Sequence, residues 1–181
     1  LWGDKDGSRL HESYFDIYPG VWRHGDWIEI NKDGGSVIFG RSDATINRKG
    51  LRMGSAEIYQ AVEGLSEIRD SLVVDLEFLG RDSFMPLFVV LMPKAELDKT
   101  LCHRIRQVIK SQLSPRFLPD AIIEIVEVPR TLSGKKLEVP VKKLLLGGAP
   151  EKVVNRASML NPQSFDFFVE YNKKKRKITH E

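Results

Sequence analysis

The apolar positions of this chain fall into short alternating runs near its start and into alternating strand-like and helix-like blocks further on. DWIEI and SVIFG are two β-prone runs joined by NKDGG, and together they predict a β-hairpin with a bulged turn. The preceding LWGDKDGSRLHESYFDIYPG is polar, rich in turn formers and predicts no element. After the hairpin, SAEIYQAVEGL predicts a helix. Ser55 is placed to cap it, Glu57 lies in its first turn, and Ile58, Ala61, Val62 and Leu65 share one face. DSLVVDLEF and PLFVVLMP predict strands rich in β-branched residues. LDKTLCHRIRQVIKSQLS predicts an amphipathic helix with Leu97, Leu101, Ile105, Val108, Ile109 and Leu113 on its apolar side. AIIEIVEV predicts a third strand, and VKKLLLG a short helix ending at Gly147. This order predicts a small α+β domain: a short three-stranded sheet with helices on one or both faces, beginning near Asp43 and preceded by the β-hairpin.

Composition leaves that picture unchanged. The chain has 181 residues, 41% of them apolar and 29% charged, the balance of a globular protein. A single cysteine, Cys102, excludes an internal disulfide and fits a reducing compartment. No apolar run approaches the roughly 20 residues that span a bilayer, and LWGDKDGSRL lacks the apolar stretch of a signal peptide. The net charge of +3 is concentrated in the tail YNKKKRKITHE, where residues 173 to 177 are all basic. Such a run reads as a frayed, solvated terminus or as a nucleic-acid patch. No basic face is interleaved with aromatics as single-strand binders require, so neither nucleic acid nor membrane is expected as a partner.

Most catalytic constellations are absent. The histidines at 11, 24, 103 and 180 are scattered, and Cys102 beside His103 has no metal-ligand spacing. Gly134 and Lys135 resemble the end of a phosphate-binding loop, but Pro129 occupies the place of its first glycine. Lys136 likewise replaces the hydroxyl residue that would hold magnesium. Three glycine-bearing polar segments remain. In RHGDW, Asp26 follows Gly25, where a carboxylate could accept from two sugar hydroxyls or simply start a turn. GRSDATINRKGLR carries Arg41, Asp43, Arg48, Lys49, Gly50 and Arg52. Its arginines could grip phosphate, or the segment could be a solvated hairpin. PRTLSGKK follows the third strand and offers a flexible loop with a mobile ammonium.

In this order, HGDW, GRSDATINRKGLRMGSAEI and PRTLSGKK resemble three motifs of the adenylate-forming superfamily, which includes acyl-CoA synthetases, luciferases and peptide adenylation domains. His24 stands where that family has a threonine. The similarity spans residues 14 to 147. DGSRLHESYFDIYPGVWRHGDW, GRSDATINRKGLRMGSAEIY and SMLNPQSFDFF are similar in particular to the acetoacetyl-CoA synthetase branch, which has a longer C-terminal extension.

The resemblance implies two half-reactions: a carboxylate attacks the α-phosphate of ATP, and CoA then displaces AMP. It implies Asp26 and Arg41 at the nucleotide, Asp43 as a hinge, and Lys135 as the adenylation lysine, with Lys136 a solvated neighbour. Gly50 and Lys110 are expected to meet CoA, and Arg52 a phosphate group. It further implies acetoacetate, ATP and CoA as substrates, with Mg2+ bound mainly through a large N-terminal domain. A lysine acetyltransferase acting at Lys135 and a cytoplasmic location are also implied. On this basis residues 1–42 would be the last hairpin of that N-terminal domain, 43–150 a mobile C-terminal domain, and 151–181 an extension with a basic tail. The fragment alone is not expected to be active. An acetyl- or propionyl-CoA ligase, or a module that binds adenylate or CoA without chemistry, are the alternatives.

Overall fold

The computed structural model describes residues 3–41, 46–48, 51–77 and 83–179. The chain folds as two compact units, Leu1–Asp43 and Ala44–Glu181.

The first unit opens with a helix, α1 (Ser8–Tyr14), where the sequence predicted no element. Polar residues build it rather than periodicity. The Asp4 carboxylate accepts the amides of Arg9 and Leu10 at 3.0 and 2.9 Å, and Asp6 accepts the amide and hydroxyl of Ser8. These acceptors satisfy amides at the helix start that have no partner within the helix. The expected hairpin follows as β1 (Asp26–Ile30) and β2 (Ser36–Arg41), antiparallel with a register shift between Trp27 and Ile28. Its turn closes through Asn31, whose amide donates to Gly35 O at 2.7 Å, while Gly34 takes the left-handed φ of 85°. No described side chain of this unit is buried.

The second unit begins with a small antiparallel pair, β3 (Ile46–Arg48) and β4 (Leu51–Met53), and then α2 (Ser55–Glu63). Ile58, Ala61 and Val62 form the buried face of α2, as the spacing predicts. Ser55 does not cap it. Gly54 is the N-cap residue, and the Ser55 hydroxyl is drawn away to donate to Glu138 Oε1 at 2.7 Å.

The main sheet has three strands: β5 (Ile68–Val73), β6 (Pro86–Leu91) and β7 (Ala121–Glu124), in the order β5-β6-β7. β5 runs antiparallel to β6, and β6 parallel to β7. The parallel crossover is made by α3 (Lys99–Gln112), whose N-cap residue Asp98 accepts the Leu101 amide at 2.7 Å. Downstream lie α4 (Glu138–Leu145), α5 (Pro150–Val153) and α6 (Ser164–Thr179).

Helices cover both faces of the sheet. Leu87 and Val89 of β6 pack with Ile58 and Val62 of α2 and with Leu101, Ile105 and Ile109 of α3. The alternate residues Phe88 and Val90 pack with Val141 and Leu144 of α4 and with Phe165 and Phe168 of α6. Burial on both sides explains why PLFVVL is continuously apolar. The C-terminal extension is thus part of the core. Phe168 meets Phe88 edge to face at 4.8 Å, and Asn172, itself buried, donates to Leu144 O at 2.9 Å. Anchored in this way, α6 carries the basic run in helical backbone through Thr179, where the sequence predicted a frayed terminus. Lys173 and Lys174 on it are exposed.

Phe168→Ala should therefore unfold at lower urea concentration, with a loss of about 3–5 kcal/mol. Phe167→Ala, at the edge of the same cluster, should cost much less.

Candidate active-site turn and its charge cluster

After β7 the chain buries Ile125 and Val128 and then turns at Pro129. The segment 129–137 is a small hairpin rather than a loose loop. Arg130 and Lys136 form an antiparallel bridge, and Thr131 donates its amide to Lys135 O at 2.9 Å. At the base Leu137 donates to Pro129 O at 2.9 Å, and at the tip Gly134 donates to Thr131 O at 2.8 Å. The Thr131 hydroxyl oxygen accepts the Lys135 amide at 3.0 Å. Gly134 has a φ of 83°, so the tip needs a residue without a Cβ. The expected flexible loop is thus a turn closed by backbone hydrogen bonds at its base and tip.

Neighbouring residues in extended backbone project to opposite sides, and the two adjacent lysines separate accordingly. Lys136 turns inward, contrary to the expectation of a solvated neighbour; its side chain is only 15% exposed. Its ammonium donates to Glu63 Oε1 at 2.6 Å, approaches Asp70 Oδ1 at 2.9 Å and donates to Ser71 O at 2.7 Å. It also lies 3.7 Å from the centroid of the Tyr59 ring. Three donors thus meet three acceptors and an aromatic face. Arg130 completes the cluster, donating to Asp70 Oδ2 at 2.6 Å. Two cations and two carboxylates balance, as partly buried charges must.

Burial opposes ionisation of Asp70, but the hydrogen bonds and charges of Arg130 and Lys136 outweigh it and hold the carboxyl below its ordinary range. A lowered folded value stabilises the fold above the unfolded aspartate value near 4. That contribution is lost as pH falls through the folded value. Beside this cluster, Glu138 accepts the hydroxyls of Ser55 and Tyr59. Burial first, and then the Glu138 charge, push the Tyr59 hydroxyl well above its usual range.

Lys135 turns outward. It is exposed, and its ammonium has no hydrogen-bond or ion-pair partner among the described residues. The hydrogen-bonded turn thus presents an exposed cation beside a neutralised one.

In the first unit, Asp26 starts β1 and Arg41 ends β2, and the register sets them directly opposite one another. The His24 Nδ1 lies 2.6 Å from Asp26 Oδ2. The side chains of Arg41 and Arg52 lie outside the described structure; the backbone of Arg52 belongs to β4, opposite Asn47. Asp43 and Gly50 lie outside the described residues. Arg48 donates to Leu118 O at 2.8 Å and pairs with Asp120, which commits it to the fold. Lys110 is exposed in the last turn of α3, and no hydrogen bond or ion pair joins it to the 129–137 turn among the described residues. The sequence did not single out Glu63, Asp70, Arg130 or Tyr59. A polar Asp-Ser pair at the start of the apolar DSLVV run was the one available signal. Among the described residues no three His, Cys, Asp or Glu side chains gather to hold a metal ion.

No protein-family profile matches the chain. It is 44% identical over 169 residues to the acetoacetyl-CoA synthetase of Xenopus tropicalis, a match covering 93% of this chain and 25% of that protein. It is 40% identical to the acetoacetyl-coenzyme A synthetase of Rhizobium meliloti strain 1021, with the same coverage of each. Among solved structures, acetoacetyl-CoA synthetase from Streptomyces lividans matches with a TM-score of 0.86 and 52% identity, over 96% of this chain and 26% of that one. ATP-bound MatB from Rhodopseudomonas palustris, at 17% identity and a TM-score of 0.61 over 79% of this chain and 27% of its own, shares the fold alone. The chain spans about a quarter of the length of the curated relatives it matches. It is a homologue of acetoacetyl-CoA synthetases and has the fold of the C-terminal domain of an acyl-CoA synthetase.

The inward and outward lysines should behave differently on substitution. Lys136→Met leaves Glu63 and Asp70 without their shared cation and should cost about 3–5 kcal/mol in urea unfolding. Lys135→Ala should leave the unfolding midpoint unchanged.

Proposed function

We propose that this homologue of acetoacetyl-CoA synthetases forms the C-terminal, lysine-bearing part of an acetoacetate–CoA ligase that works through an acyl-adenylate. The observation that carries the reading is the Lys135 ammonium, exposed and, among the described residues, unpaired on a hydrogen-bonded turn whose other lysine is neutralised. In the first half-reaction the acetoacetate carboxylate attacks the α-phosphate of ATP and releases pyrophosphate. Two anions must approach, and a preorganised cation between them lowers that barrier. Lys135 is the group suited to this task. In the second half-reaction the CoA thiolate displaces AMP to give the thioester.

The remaining roles follow from the same reading. Asp26 accepts the ribose hydroxyls, and Arg41, its strand partner, assists at the nucleotide. Asp43 is the hinge about which the C-terminal domain turns between steps, so that Lys135 withdraws when CoA enters. Gly50 leaves room for the pantetheine arm, Arg52 meets a phosphate, and Lys110 lies against the CoA nucleotide. Mg2+ would neutralise the ATP phosphates. Its ligands would come mainly from the N-terminal domain.

Residues 1–42 are read as the last hairpin of a larger N-terminal domain. Ile28, Ile30, Val37 and Ile38 are all exposed on it, a run of apolar side chains that calls for a covering partner. Residues 43–150 would be the mobile domain and 151–181 its extension. No described helix is long and apolar enough to cross a membrane, and the free Cys102 fits a reducing cytoplasmic setting. Acetylation by a lysine acetyltransferase would remove the charge of the exposed Lys135 and stop adenylation.

The test uses the full-length ligase. Lys135→Ala should lower acetoacetate-dependent ATP–pyrophosphate exchange by at least roughly 10²- to 10³-fold. Thioester formation from preformed acetoacetyl-adenylate should persist. Normal exchange in this variant would remove Lys135 from the chemistry. Exchange supported by acetate or propionate but not acetoacetate would reassign the substrate.

A further inference from the structure

We propose that Arg130 is the positioning residue of the lysine turn, fixing the peptide that leads into Lys135; this rests on Lys135 acting in adenylation. The Arg130 guanidinium spans two anchors. One nitrogen donates to Gly134 O at 2.7 Å, the carbonyl immediately before Lys135. The other donates to Asp70 Oδ2 at 2.6 Å, on the strand β5. Asp70 in turn spends its second oxygen on Lys136 at 2.9 Å. The turn tip is therefore tied to the sheet through the two terminal nitrogens of one planar fork, where a lysine would have to reach both acceptors from a single nitrogen.

The backbone of Arg130 is held from the other side by the C-terminal extension. Its amide donates to Asn161 Oδ1 at 2.9 Å, and the Asn161 amide group donates to Val128 O at 2.9 Å. Leu160 donates its amide to Arg130 O at 2.9 Å, Leu132 donates to Ser158 O at 3.1 Å, and Thr131 bridges Met159. The extension thus acts as an added edge along the turn.

Gly134 explains why a lock is needed. With no side chain and a φ of 83°, it is the softest point of the turn, and it lies next to the catalytic residue. Misplacing a reacting group by about 1 Å can cost roughly 10²-fold in rate. Holding the Gly134 carbonyl keeps the ammonium in one place while its own long side chain stays free to reach substrate. Arg130 itself needs no contact with ATP or acetoacetate.

The decisive variant is Arg130→Lys in the full-length ligase. It keeps a charge for Asp70 but replaces the two-nitrogen fork with a single nitrogen on a differently shaped stem. Pyrophosphate exchange should fall roughly 10- to 100-fold in kcat, with KM for ATP and acetoacetate little changed. Thioester formation from preformed acetoacetyl-adenylate should proceed at the wild-type rate. Asn161→Ala, which leaves the charge cluster whole, should give the same split more mildly, and it carries the test if Arg130→Lys does not fold. Wild-type exchange in the folded variants, or a parallel decline of both half-reactions, would overturn the positioning role. Lys135→Ala run alongside separates the two ideas. If it abolishes exchange while Arg130→Lys does not affect it, only the positioning role falls. If Lys135→Ala leaves exchange intact, both fall together.

Discussion

Everything about the lysine turn depends on one cluster of charges: Lys136 and Arg130 held against Glu63 and Asp70. Adjacent ammonium groups repel, and a chain that places two of them on one tight turn must separate them. This fold does so by drawing Lys136 into a site with an acceptor for each of its protons. The neighbouring ammonium is then left outside. Partly buried ion pairs of this kind often add little net stability, because desolvation offsets much of the attraction. Their contribution here is to geometry. Turning Lys136 outward would take from Glu63 its cation and leave Asp70 with Arg130 alone.

The cluster in turn requires the two-sided sheet. Glu63 comes from the end of α2 on one face, Asp70 and Ser71 from β5, and the turn itself from the chain leaving β7. The other face is closed by α4 and α6, where Phe165 and Phe168 fill the space over Phe88 and Val90. The C-terminal extension therefore does two things at once. It completes the core, and its residues 158–161 run along the outer edge of the lysine turn. On the proposed reading, in which the turn acts by presenting one cation, a firm mount matters more than an enclosed cavity.

Local patterns announced the local elements. The spacing of Leu101, Ile105 and Ile109 gave α3, NKDGG gave the β1–β2 turn, and the unbroken apolar run of β6 marked a strand covered on both sides. Lys135 was singled out because its motif is contiguous. Features that depend on distant partners were not readable. Lys136 looks solvated in the sequence because Glu63, its partner, lies 73 residues away. Ser55 looks like a cap until Glu138, 83 residues on, competes for its hydroxyl. α1 is built by two aspartates rather than by an apolar stripe, and so left no periodic signal. The tail looked frayed because its basic run hid the aromatic anchor just before it.

The most direct test of this arrangement is competitive amine labelling of the folded protein under limiting reagent, read peptide by peptide in a mass spectrometer. Lys135 should label as fast as the exposed Lys32 and Lys94. Lys136, one residue along, should stay protected until the domain unfolds. Equal labelling of the two lysines would contradict the charge cluster, and with it the reason Lys135 stands exposed.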